Sequence, residues 1–98
     1  MNYIVMNEDG STSAGTLKSL VEIYAVVGCR YVTMLMAREE WTLYADEEGL
    51  LQTPNELNKH FKTKLIVGKV ILVKENEEGV FMNFTEEEGQ REVAQFVA

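Results

Sequence analysis

Hydrophobic residues occur along the chain in short runs that are separated by polar turns. Most of these runs are rich in β-branched and aromatic residues, a composition typical of strands. On this basis we predict strands at residues 3–6, 30–36, 41–45, 65–73 and 80–84. The polar residues 38–40 predict that the second and third strands form an antiparallel hairpin. The run at 65–73 is the most hydrophobic and should be the central strand, with a bulge or a bend at Gly68.

Two segments in the first two thirds of the chain carry helical signals instead. Apolar residues recur at helical spacing over residues 16–27, and Gly28 stands where a glycine commonly ends a helix. Residues 54–61 follow the pattern of a capping box, in which Thr53 and Glu56 each satisfy a backbone N–H of the other. The sequence therefore predicts a leading helix and a short middle helix.

A second capping box, Thr85 with Glu88, predicts a C-terminal helix. Gly89 near its start should weaken this helix by about 1 kcal/mol relative to alanine. Its apolar stripe consists of Val93, Phe96 and Val97. Taken together, the elements predict a single α+β domain over residues 1–98. We expect a mostly antiparallel sheet of four to six strands with two or three helices packed on it.

Size and charge narrow the classes of function. Ninety-eight residues are enough for one domain with a core that needs neither disulfides nor a metal. Sixteen acidic residues against nine basic ones give a net charge of -7, which disfavours binding to nucleic acid. The N-terminal residues lack the features of a signal peptide, and no apolar run is long enough to span a membrane. Because the single cysteine, Cys29, needs no oxidising compartment, we expect a cytoplasmic protein.

The residue types needed for a catalytic or metal site are scarce. His60 is the only histidine and Cys29 the only cysteine, so the usual structural zinc site is not available. Neighbouring carboxylates, such as those at 46–48 and 86–88, fall in predicted turns or at a helix start. Acid–base catalysis needs carboxylates that are shielded from solvent, which these positions do not offer. We therefore expect neither enzyme activity nor a metal or other cofactor.

Two groups of side chains are candidates for binding. The first group lies in the predicted hairpin and consists of Met34, Met36, Trp41 and Tyr44. Methionines beside aromatic residues favour an adaptable protein-binding surface, and packing in the core is the alternative. The second group belongs to a lysine-rich stretch that would suit a small anionic ligand such as a nucleotide. It consists of Lys62, Lys64 and Lys69.

Several features in series resemble a known family. They are the leading Thr16-Leu17-Lys18-Ser19-Leu20-Val21, the turn Asp46-Glu47-Glu48-Gly49-Leu50-Leu51, Pro54-Asn55, Ile66-Val67-Gly68 before a valine-rich strand, and Phe84-Thr85-Glu86-Glu87-Glu88. Their order and spacing resemble DUF3846, a family of small uncharacterised proteins from bacteria, phages and mobile elements, over most of the chain. The resemblance implies an origin in a phage, a plasmid or an integrated element. It implies little about activity, because the family carries no established chemistry.

These observations predict a non-enzymatic accessory protein that acts by binding a protein partner, such as a host factor. Two alternatives stay open: a protein that sequesters a nucleotide signal at its lysines, and an acidic mimic of nucleic acid. Neither a membrane nor nucleic acid itself is an expected partner. Homodimer formation through an exposed strand edge is compatible with all three functions.

Overall fold

The computed structural model describes residues 1–18, 22–27, 32–46, 57–61 and 66–97. In chain order these residues form β1 (Tyr3–Met6), β2 (Thr12–Gly15), α1 (Glu22–Val27), β3 (Val32–Arg38), β4 (Trp41–Asp46), β5 (Val70–Lys74) and α2 (Glu86–Val97). The strands form one antiparallel sheet in the order β2-β1-β5-β4-β3. The α+β class is thereby confirmed, and β5 is the central strand, as predicted.

The central strand is hydrophobic along its length because both faces of the sheet are covered at its position. Val70, Ile71, Leu72 and Val73 are all fully buried. Since side chains alternate along a strand, they contribute to two cores. The core on the side of α1 contains Val5, Leu17, Ile23, Val27, Ile71 and Val73. The core on the side of α2 contains Ile4, Met6, Trp41, Leu43, Ala45, Phe61, Val70, Leu72, Phe84 and Val93.

The predicted hairpin is formed by β3 and β4. Arg38 lies directly opposite Trp41, so that only Glu39 and Glu40 make the turn. Glu39 has a φ of 56°, in the left-handed region that tight hairpin turns require. The hairpin is thus present at the predicted turn, and Glu39 adopts there a conformation that is uncommon for residues other than glycine, asparagine and aspartate.

An irregularity in β3 divides its two methionines between the faces of the sheet. Met34 lies opposite Tyr44, whereas Met36 lies opposite Leu43, and the register shifts between the two methionines. Such a shift adds one residue to the strand and reverses the side on which the following side chains lie. Met34 therefore shares a face with Tyr44 on the side of α1. Met36 shares the opposite face with Leu43.

The C-terminal helix has the predicted cap. Glu88 N donates to Thr85 Oγ1 (3.1 Å), and Thr85 N donates to Glu88 Oε1 (3.1 Å). These hydrogen bonds from the backbone and the hydroxyl of Thr85 lower the pKa of the Glu88 carboxyl group. Val93 is buried, and Phe96 and Val97 pack partly against the same core. The predicted apolar stripe is thus the face that α2 turns to the sheet.

The leading helix is shorter than predicted. Its prediction covered residues 16–27, whereas α1 begins at Glu22. Leu17 is buried but not helical, because the side chain of Asn2 holds its backbone. Asn2 Nδ2 donates to Leu17 O (2.8 Å), and Leu17 N donates to Asn2 Oδ1 (2.7 Å). A side chain fifteen residues away thus supplies the bonds that a first helical turn would otherwise make.

One strand has no signal in the hydrophobic pattern. The β2 sequence Thr-Ser-Ala-Gly contains no large apolar residue, and its middle residues are exposed. It is a strand because it pairs with β1, from Tyr3 opposite Gly15 to Met6 opposite Thr12. This edge strand is held by backbone pairing rather than by burial of its side chains.

The predicted middle helix at 54–61 is wrong over the part that the structure describes. Leu57 forms an isolated antiparallel bridge with Val67, and Asn58 N donates to Ile66 O (2.7 Å). Extended pairing with a later segment has replaced the helical turn at these residues. The proposed capping box lies outside the described residues.

The central strand starts later than predicted, at Val70. Gly68 has a φ of 82°, which confirms the predicted bend and interrupts the extended run. The last predicted strand, at 80–84, is reduced to an isolated bridge between Phe81 and Glu75. Beyond it the chain is tied to the residues before β1, because the backbone N–H of Phe84 donates to the carbonyl of Met1 (2.9 Å).

Candidate functional site

The four residues predicted as a protein-binding surface do not form one surface. Trp41 is only 7% exposed and belongs to the core on the side of α2. The Trp41 ring packs edge-on against Phe84, with 4.8 Å between the ring centroids. Lys74 Nζ lies 5.3 Å from the centroid of the Trp41 ring. Met36 is on this side of the sheet as well. Substitution of Trp41 would therefore disturb the fold rather than test binding.

Met34 and Tyr44 do lie together, on the opposite face of the sheet. Met34 is 58% exposed, and Tyr44 beside it is half-buried. Two further polar residues adjoin them: Thr42, two positions earlier on β4, and Glu75, directly after β5. We call Met34, Thr42, Tyr44 and Glu75 the β3–β4 face.

The carboxylate of Glu75 is held by two hydroxyl groups. Tyr44 Oη lies 3.0 Å from Glu75 Oε1 and 3.1 Å from Oε2, so its single hydrogen is shared between both oxygens. Thr42 Oγ1 donates to Glu75 Oε2 (3.3 Å), and Thr42 is itself buried. Since both donors belong to β4 and the acceptor follows β5, strand pairing fixes the geometry of the cluster.

Burial raises the pKa of Tyr44 to about 12, and the negative charge of Glu75 and its hydrogen bond act in the same direction. The tyrosine therefore remains a neutral hydrogen-bond donor at physiological pH. The two hydroxyl groups hold the Glu75 carboxylate in one orientation as an acceptor.

Glu75 differs from Glu92, another partly buried carboxylate, in having no cation among the described residues. Arg38 lies 3.6 Å from Glu92, whose side chain is 18% exposed, and this ion pair joins β3 to α2. Within the described ranges, no basic side chain lies within ion-pair distance of Glu75. The backbone of Glu75 adjoins the hairpin turn, because Glu75 N donates to the carbonyl of Glu40 (2.7 Å).

We expect the ionisation of Tyr44 to be displaced well into the alkaline range. The difference in tyrosinate absorbance between the native protein and Tyr44→Phe should report a pKa of about 12, against the ordinary value of 10.0. Glu75→Gln should lower this pKa only partly, because burial is the larger cause. A Tyr44 that titrates near 10 would contradict the observed burial and hydrogen bond.

The same shift has a consequence for stability. The folded-state pKa lies above the unfolded one, so the stabilisation is present below pH 10.0 and is lost as the pH rises through about 12. Tyr44→Phe should therefore show a shallower loss of stability than the native protein between these two values. Urea denaturation at a series of alkaline pH values measures the difference.

The structure describes only one of the three lysines predicted to bind a small ligand. Lys69 lines an open depression of about 330 Å³, together with Asn7, Glu8, Asp9 and Ser11. Hydrogen bonds from the hydroxyl and the backbone N–H of Ser11 lower the pKa of Asp9, so its carboxylate remains charged. The depression therefore contains two carboxylates beside one lysine. Lys62 and Lys64 lie outside the described residues.

Among the described residues, His60 does not add to these sites. His60 Nε2 lies 2.9 Å from Ser11 O and links its loop to the turn between β1 and β2. Cys29 is outside the described residues. In the described ranges, no group of three or more histidine, cysteine or carboxylate side chains is placed to hold a metal ion. No helix there is both long and apolar enough to cross a membrane.

Sequence reasoning found Met34 and Tyr44 but missed Thr42 and Glu75. Glu75 stands next to the acidic turn at 76–79, and a carboxylate in such a sequence resembles solvated surface charge. A signal was nevertheless present: Thr42 and Tyr44 alternate with apolar residues along β4, which places two hydroxyl groups on one face of a strand. The identity of their acceptor depends on strand order, which the sequence does not reveal.

Fold and site together define a small α+β domain with an antiparallel five-stranded sheet and an oriented carboxylate on one face. The chain belongs to the family described as Domain of unknown function (DUF3846), whose profile matches residues 1–97. Comparison with curated proteins and with solved structures found no significant match. Membership confirms the resemblance seen in the sequence, and any account of function rests on the geometry of this chain.

Proposed function

We propose that this protein is a non-enzymatic accessory protein that binds another protein through the β3–β4 face. The observation that carries the proposal is the exposure of Met34, 58%, directly beside the oriented Tyr44–Glu75 pair. A flexible, polarisable side chain next to a rigid aromatic ring is typical of surfaces that become buried in protein interfaces. We further propose a cytoplasmic protein of phage, plasmid or integrated-element origin whose partner is a host factor.

Exposure alone does not distinguish Met34. Leu57 and Val80 are exposed to a similar extent, 56% and 55%. Both lie outside the sheet, Leu57 in a loop and Val80 after a turn, whereas Met34 lies on a strand with a fixed polar cluster beside it. A rigid base lowers the entropy that is lost when a partner docks, which favours the β3–β4 face as the binding surface.

Met34→Asp should abolish binding of the partner. We expect a stoichiometric protein to be captured from a bacterial lysate by the tagged native chain, and its affinity to fall at least about tenfold in the variant. A buried charge at the centre of an apolar contact has no partner, which accounts for the loss. Leu57→Asp is the matched control, with the same change in charge at a similarly exposed residue, and should bind normally. Equal binding by both variants would refute this placement.

Salt dependence separates the proposed function from nucleic-acid mimicry. The chain carries a net charge of -7, and a mimic would use this charge to occupy a basic groove. Its binding would then weaken steeply as salt screens the charges, and Met34→Asp would leave it intact. Docking through the β3–β4 face predicts the reverse: modest salt dependence and a strong effect of Met34→Asp.

The depression at Lys69 is the candidate site for a second function, the binding of a small ligand such as a nucleotide. It is large enough for a small polar ligand, but Glu8 and Asp9 would repel the phosphates of a nucleotide. A panel of nucleotides in a thermal-shift assay tests this directly, because a ligand that binds only the native state must raise its stability. Stabilisation that Lys69→Ala removes would favour the nucleotide-binding function instead.

A further inference from the structure

We infer that Glu75 is a receptor for an arginine side chain of the protein partner. The inference rests on the proposed function, because it names the chemistry with which the partner would meet the β3–β4 face. Three observations carry it: the number of donors that Glu75 already has, the missing cation, and the position of the Tyr44 ring.

The hydrogen bonds of Glu75 leave part of its acceptor capacity unused. A carboxylate offers about four lone-pair positions, and Tyr44 and Thr42 bring only one hydrogen each. Because the Tyr44 hydrogen is shared between both oxygens and the Thr42 hydrogen lies at Oε2, the open acceptor position is on Oε1. A planar guanidinium group can donate one N–H to Oε1 and place a parallel N–H beside Oε2, a geometry that an ammonium group does not offer.

Charge points to the same ligand. A partly buried carboxylate is normally paired with a cation, as Glu92 is with Arg38, yet the described residues provide none for Glu75. The adjacent hairpin turn adds Glu39 and Glu40, and the whole chain carries a net charge of -7. A cation of the partner would complement Glu75, and the negative charge of the chain would attract it.

The Tyr44 ring supplies an apolar surface that the methylene groups of the arginine side chain can contact. Its backbone lies opposite Met34, and its hydroxyl reaches Glu75, so the ring spans the distance between them. An arginine side chain is of similar length to a tyrosine. With its guanidinium on Glu75, its methylene groups would lie along the ring and an apolar neighbour would contact Met34. The preferred ligand is thus an arginine with an adjacent apolar residue.

Selection from a displayed random-peptide library against the full chain tests the inference. We expect the selected peptides to be enriched in arginine next to apolar residues. Replacing that arginine with glutamine, or Glu75 with glutamine, should weaken binding about 10- to 100-fold, because a charged hydrogen-bond pair is lost. Glu78→Gln is the matched control, since it removes the same charge from an exposed turn, and it should bind within about twofold of the native protein.

Specificity for the guanidinium group gives a second measurement that does not depend on Glu75→Gln folding well. Replacing the peptide arginine with lysine should weaken binding several-fold, and so should Tyr44→Phe, which keeps the carboxylate but removes a donor that orients it. Peptides without arginine enrichment, the absence of any binder, or equal binding of arginine and lysine would overturn the inference.

The outcomes also separate this inference from the proposed function. If the captured protein is lost with Met34→Asp but retained with Glu75→Gln, the face is a binding surface and the arginine receptor is wrong. If Met34→Asp retains the captured protein, the proposed function fails and the inference fails with it. If the captured protein is lost with Met34→Asp and with Glu75→Gln, but retained with Glu78→Gln, the result supports both the proposed function and the arginine receptor.

Discussion

Replacing Asn58 with alanine should lower the free energy of unfolding by about 2–4 kcal/mol. This side chain is only 2% exposed, and all of its polar groups are used. Its Nδ2 donates to Met6 O (2.9 Å) and Gly68 O (2.8 Å), and its Oδ1 accepts from His60 N (3.0 Å). Alanine removes two buried hydrogen bonds that connect the end of β1 to the two segments preceding β5, and a third that holds the loop of Asn58 itself.

Urea denaturation measures this loss, and another asparagine provides the control. Asn76 Oδ1 accepts from Glu78 N (2.9 Å) and Val80 N (3.0 Å), but in an exposed turn where water can take over both bonds. Asn76→Ala should therefore cost only about 1 kcal/mol. If Asn58→Ala unfolds at the native urea concentration, the buried network contributes nothing and its assignment is wrong.

Gly89→Ala should destabilise the protein by about 1–3 kcal/mol, although alanine is the better helix former. Gly89 is buried in the first turns of α2, and a Cβ there would collide with Ile4 Cδ1 and with the ring of Phe84. Both neighbours belong to the core and have little room to move. The helix is thus weakened by glycine so that it can approach the sheet closely.

A pair of controls isolates the steric cause. Ala94→Gly, on the exposed side of the same helix, should cost about 1 kcal/mol from helix propensity alone. Ile4→Val removes the Cδ1 atom that meets the new methyl group, so Gly89→Ala should cost less in that background than in the native one. Additive effects of the two substitutions in thermal unfolding would show that the collision is not the cause.

The elements that could be predicted from the sequence are those whose determinants are local. The capping box of Thr85 and Glu88 and the turn at Glu39 and Glu40 are each specified within a few residues, and both are present. The centre of the sheet was predictable for a related reason: a strand that is buried on both faces must be hydrophobic throughout. The sequence pattern therefore predicts the elements that depend on local chemistry and on burial.

The errors in the predicted helices involve contacts between distant residues. Asn2 supplies bonds to Leu17 that shorten the first helix, and Ile66 pairs with Asn58 where a helix was predicted. The candidate site follows the same rule. Tyr44 was predictable as a strand aromatic, but its bond to Glu75 spans 31 residues and depends on which strands are neighbours. No periodicity within a single segment reports such a contact.

The position of β5 has a consequence for how the chain folds. β1 with β2, and β3 with β4, are hairpins of residues close in sequence, and such pairs form early because little loop entropy is lost. In the sheet the two hairpins are joined only by β5, which lies between them. Val73 of β5, for example, pairs with Tyr3 on one side and with Thr42 on the other. Folding is therefore completed when a late segment inserts between two preformed halves, and this non-local step should set the rate.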